Sequence, residues 1–239
     1  NFSATLAFGT PPLLQTPADR KENSRNAQRN NESQRHDAER EVVDTIADYH
    51  LIKGKNTALS TRASSMCYYI KGLCAATNRN YEDSYQFFNR TREILDNNPK
   101  IKIDSGQRYV MTLSHLLRCY IDGKNFEKAQ QLILDLRALE GTKGFNSTDI
   151  TVRIFTGTSN LELALLHEMG EYEKSVEIIP GIERTQEEFG EKVSKEQEIL
   201  LTYNKAVSYF GVGDYKKALQ YINLVLNDNE QNLRQDIYS

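Results

Sequence analysis

His115 and Cys119 stand four residues apart in "VMTLSHLLRCYI", which places an imidazole and a thiol on one face of a helix. That pair is the beginning of a nucleophile and its base. The chemistry also needs a group to orient the base and donors to hold an oxyanion. Neither is evident in the sequence, so His115 is expected to be a half-buried helix residue. The other histidines, His36, His50 and His167, fall in separate segments. "HE" at 167–168 lacks the second histidine that a zinc-binding helix places four residues after the first. Cys67, Cys74 and Cys119 make neither a disulfide framework nor a zinc site. They read as reduced core residues of a cytoplasmic protein. "FGVG" at 210–213 has two glycines of a phosphate loop, but it follows a helical pattern and lacks the third. Acceptor triplets for glycosylation at Asn1, Asn31, Asn89 and Asn146 matter only in a secreted chain, and the apolar N-terminal stretch has no basic lead-in. No catalytic residue, metal or cofactor is expected, and the chain is not expected to be an enzyme.

The elements around these residues repeat. "NRNYEDSYQFF", "GKNFEKAQQLI", "GEYEKSVEII" and "GDYKKALQYI" each carry an aromatic after a turn: Tyr81, Phe126, Tyr172 and Tyr215, spaced about 43–46 residues apart. Three residues on comes a small residue, Ser84, Ala129, Ser175 or Ala218. Four further comes a large apolar one, Phe88, Ile133, Ile179 or Ile222. Nine residues before the aromatic stand Gly72, Leu117, Leu163 and Ala206. A fixed period outranks any single motif, because it implies one structural unit copied along the chain.

This pattern resembles the tetratricopeptide repeat, with its aromatic and Gly-containing turn followed by Tyr, Ala and a large apolar residue. The match is best in the last unit and weakest in the first, and the signature Trp is absent throughout. The period is also longer than the family's usual ~34 residues, so helices or loops must be extended. The resemblance implies an all-α chain, a right-handed superhelical α-solenoid of stacked helical hairpins. Four hairpins are expected at about 57–100, 104–141, 149–190 and 194–228. The small residues are expected where paired helices cross, and the turn aromatics are expected to cap each hairpin's core.

Outside the repeats, residues 1–35 read as a polar extension or linker, because 18–41 carry balanced charges and almost nothing apolar. Residues 36–56 contain one amphipathic helix, with Val43, Ile46 and Tyr49 at helical spacing, and this helix could be a degenerate repeat. Residues 229–239 read as the start of a further, truncated helix. A net charge of −3 and the lack of a basic block argue against nucleic acid, and no apolar run approaches the ~18 residues of a membrane span.

Function is therefore expected to lie in surface. The tetratricopeptide resemblance implies a scaffold that binds a peptide or protein segment in a concave groove lined by the first helices of the hairpins. Its candidate contacts are Tyr69, Arg118, Asn160, His167, Tyr203 and Phe210. Of the positions matching the family's carboxylate clamp, only Asn160 and Arg118 suit an anion, so binding of chaperone tails is not expected. An alternative is a ligand-sensing domain, similar to the long-repeat tetratricopeptide regions of bacterial regulators. Self-association through the C-terminal end is also expected, since "YINLVL" presents apolar surface.

Overall fold

A computed structural model describes residues 60–238 of the 239-residue chain, with helical Thr45 and Ile46, and side chains as far as Leu226. The segments expected at 1–35 and 36–56 therefore lie almost wholly outside the described residues.

Nine α-helices and no strand occur over residues 60–238. In chain order they are α1 (Thr61–Thr77), α2 (Tyr81–Asp96), α3 (Pro99–Asp104), α4 (Gly106–Asp122), α5 (Phe126–Ala138), α6 (Thr148–Glu168), α7 (Tyr172–Phe189), α8 (Lys195–Gly211) and α9 (Tyr215–Tyr238). A single 3₁₀ turn covers Gly190–Lys192. The helices form four hairpins, α1/α2, α4/α5, α6/α7 and α8/α9. α9 is one unbroken helix, so residues 229–238 continue it and do not begin a new one.

The four hairpin turns are copies at backbone level. Two residues before each turn aromatic, Arg79, Lys124, Gly170 and Gly213 adopt φ of 58°, 55°, 73° and 79°. The next residue then donates its N–H back to the first helix, to Ala75 O, Tyr120 O, Leu166 O and Asp214's partner Tyr209 O, at 2.8–2.9 Å. This left-handed closure satisfies carbonyls that a helix end leaves unpaired. Asn80, Asn125 and Asp214 then cap the second helices with their side chains. Gly170 and Gly213 take this conformation without strain, whereas Arg79 and Lys124 carry a Cβ into it.

Each hairpin packs on the next. α2 lies on α4, α4 and α5 on α6, and α6 and α7 on α8. Ser84, Ala129, Ser175 and Ala218 are all buried, as their small size at a close crossing requires. Gly72 is buried as well, and a Cβ there would sit 2.7 Å from the Phe88 ring. Two apolar cores result. One joins Phe88 and Leu95 to Leu116, Leu117, Leu132 and Ile154; the other joins Leu163, Ile179, Leu201 and Tyr209.

The turn aromatics do not all cap the cores. Phe126 packs against the first core, and Tyr172 stacks on His167 with ring centroids 5.6 Å apart. Tyr81 and Tyr215 are exposed. Tyr215 touches only the exposed Phe210 ring of its partner helix, at 5.3 Å, so the contact leaves both in solvent.

Candidate functional site

The candidate groove residues separate into two groups. Tyr69 and Asn160 are 7% and 6% exposed. Both lie twelve residues before their turn aromatic, a register that points each first helix towards the first helix of the following hairpin. The Tyr69 ring lies 6.0 Å from His115 of α4 and packs edge-on against Phe88. Asn160 accepts a 2.9 Å hydrogen bond at Oδ1 from Asn204 Nδ2 of α8. Neither side chain lies open as a groove contact.

His167 also faces the next hairpin. Its Nε2 is 2.8 Å from Ser208 Oγ, which looks like the Ser–His arrangement of a nucleophile and base. The wiring runs the other way. Ser208 Oγ donates its one proton to Asn204 O at 3.1 Å, so Nε2–H of His167 must donate to Ser208. The hydroxyl is fully buried and its proton is already committed. Burial pushes the His167 pKa down from 6.5 to about 4, so the ring is neutral. The pair therefore joins α6 to α8.

The His115 and Cys119 pair separates in a similar way. His115 stacks on Phe88 at 4.5 Å, and burial pushes its pKa down. Cys119 Sγ lies 3.9 Å from Ser84 Oγ, and burial pushes its thiol pKa up. Among the described residues, no three His, Cys, Asp or Glu side chains gather as metal ligands would. No described helix is long and apolar enough to cross a membrane.

The remaining candidates are exposed. Arg118 pairs with Asp122 one turn on, at 2.9 Å. Tyr203 and Phe210 are 49% and 65% exposed, and Phe210 meets Tyr215 edge-to-face at 5.3 Å. With Leu200, which is 49% exposed, and half-buried Val207, they form a stripe on α8 at spacings of three, four and three. That spacing is one apolar helix face, of the kind that packs against a second helix. Leu200 and Val207 belong to this face although only the aromatics stand out in the sequence. Their 3–4–3 spacing is the signal that would have found them.

The stripe has buried counterparts. Tyr203 occupies the register of Tyr69 and Asn160, and Phe210 that of His167. In α1 and α6 this face is covered by the next hairpin's first helix; in α8 it is exposed.

Between the N-terminal halves of α1 and α4 lies a cavity of about 500 Å³, walled also by α3, Gly144 and Ile150. Tyr69 and Arg108 line it. Tyr69 Oη and Arg108 Nη1 are buried without a hydrogen-bond partner. A buried donor left unsatisfied costs about 1–3 kcal/mol. Nothing in the sequence singles out Arg108, since its surroundings come from four separate elements.

Compared with protein-family models, with curated proteins and with solved structures, the chain matches none of them.

Proposed function

We propose that this chain is a non-catalytic protein-interaction module, a tetratricopeptide-like superhelical stack of hairpins that receives an amphipathic helical segment of another polypeptide on α8. What supports this reading is the stripe Leu200–Tyr203–Val207–Phe210 standing exposed in the register that α1 and α6 bury against a following helix. The occupant is a helix because the chain's own hairpins meet this face with a helix. It presents apolar residues because three large apolar side chains, each about half or more exposed to solvent, gain most from such a cover.

The test is a Leu200→Glu, Tyr203→Glu, Phe210→Glu variant compared with the parent. These side chains lie outside the cores, so the melting temperature should stay within a few degrees. The variant should lose the partners that the parent retains on a column, and lose any self-association seen by sedimentation velocity. Retention of both at an unchanged melting temperature would show that another surface carries the binding. Loss of self-association alone would identify the occupant as a second copy of this chain.

A further inference from the structure

A second site, independent of the α8 stripe, is built into the other end of the described unit. Tyr69 on α1 and Arg108 on α4 line the same cavity, and each holds a buried, unpartnered polar atom. The charge around them is unbalanced. Arg62 and Arg108 line the cavity against one carboxylate, Asp104, which Arg62 already engages at 3.0 Å. Arg108 and Arg153 both act electrostatically on the Tyr69 hydroxyl, and Arg62 acts on Arg108 as a like charge. Holding two guanidinium groups beside a single carboxylate is unfavourable, and an anion entering here relieves it.

The walls narrow the choice of anion. Met66, Met111, Ile103 and Ile150 line the cavity beside the polar atoms. Gly144, at φ 87°, brings its backbone against Ile103, where a Cβ would sit 2.8 Å from that side chain. Two donors set among apolar side chains match a group with two acceptor oxygens on a hydrocarbon stem. A phosphate would leave oxygens facing methionine and isoleucine. Met66 and Met111 are also the lining residues whose unbranched chains yield most easily to an entering group.

We propose that this cavity is a carboxylate-binding site, in which Arg108 and the Tyr69 hydroxyl donate to an acidic group carried on an apolar chain, as in a glutamate flanked by aliphatic residues. Arg62 stays with Asp104, and Arg153 adds positive potential.

The experiment is an NMR titration of the full chain, observing methionine methyl groups, with sodium hexanoate as the probe. Hexanamide and sodium phosphate serve as comparisons. Hexanoate should shift the Met66 and Met111 methyls saturably, hexanamide should not, and phosphate should bind more weakly with little effect on those methyls. Arg108→Gln and Tyr69→Phe should each weaken hexanoate about tenfold, the loss expected for one charge-assisted hydrogen bond. Tyr69→Phe removes a single unsatisfied oxygen and should fold as well as the parent, so it decides the matter if Arg108→Gln is poorly folded. A folded Tyr69→Phe that keeps full affinity overturns the proposal. So does equal binding of hexanamide, binding of phosphate as tight as hexanoate, or the absence of any saturable shift.

Discussion

Asn204 Nδ2 donates to Asn160 Oδ1 at 2.9 Å, and both side chains are buried where α8 crosses α6. An amide pair in such a place fixes register, because sliding either helix by one residue leaves two buried amides unpaired. Asn204→Ala should cost about 1–3 kcal/mol in urea unfolding. The double variant with Asn160→Ala should cost less than the sum of the singles, since the second substitution removes the group that the first orphans. Strict additivity would show that the amides do not depend on each other.

His167 makes stability depend on pH in a defined direction. Burial lowers its folded pKa from 6.5 to about 4, so between these values the unfolded chain binds more protons than the folded one. Its contribution is complete above pH 6.5 and is lost as pH falls towards 4, by about 2–3 kcal/mol. His167→Gln, which can still donate to Ser208, should flatten the slope of unfolding free energy over that interval. An unchanged slope would place the titration elsewhere.

The left-handed turn residues offer a stabilising change. Arg79 and Lys124 occupy the backbone position that Gly170 and Gly213 fill in the other two turns. Arg79→Gly and Lys124→Gly should each raise stability by up to about 1 kcal/mol, and Gly213→Ala should lower it by a similar amount. Thermal melts of the three variants test this, and destabilisation by Lys124→Gly would contradict it.

Gly72 tests the crossing of α1 and α2. A Cβ added there meets three atoms of the Phe88 ring within 3 Å, and Phe88 is fully buried. Gly72→Ala should cost about 1–3 kcal/mol by overpacking. Phe88→Leu in the same chain should recover part of the loss, because it removes the atoms that the new methyl strikes.

The repeat unit was legible because a turn and a crossing are local. The aromatic fixes where the turn lies, and the small residue three positions on must meet the partner helix wherever the hairpin sits. Gly123, however, is not the left-handed residue its place in "GKNF" suggests; Lys124 is. Exposure was less legible, because it depends on the neighbouring hairpin. Tyr69, Asn160 and Tyr203 share one register, yet only Tyr203 is exposed, because first helices pack on one another through that face. A residue's position on its own helix cannot say whether another helix will cover it. The Arg108 cavity was beyond the sequence for the same reason. It takes side chains from α1, α3, α4 and α6, and its defining feature is an absent bond.

Leu163 and Leu165 are two residues apart on α6, yet they belong to different cores. Under mechanical load this makes α6 a stop. A chain drawn out in an optical trap from its C-terminal end would release α9 and α8 first, breaking the Asn160 and His167 bonds and emptying the second core. α6 would stay seated through Ile154 and Leu165, and the extension would pause there before the first core gives way. Force–extension traces should therefore show a long-lived intermediate containing α1 to α6, and its lifetime should fall when Leu165 is cut back to alanine while the first rip is unchanged.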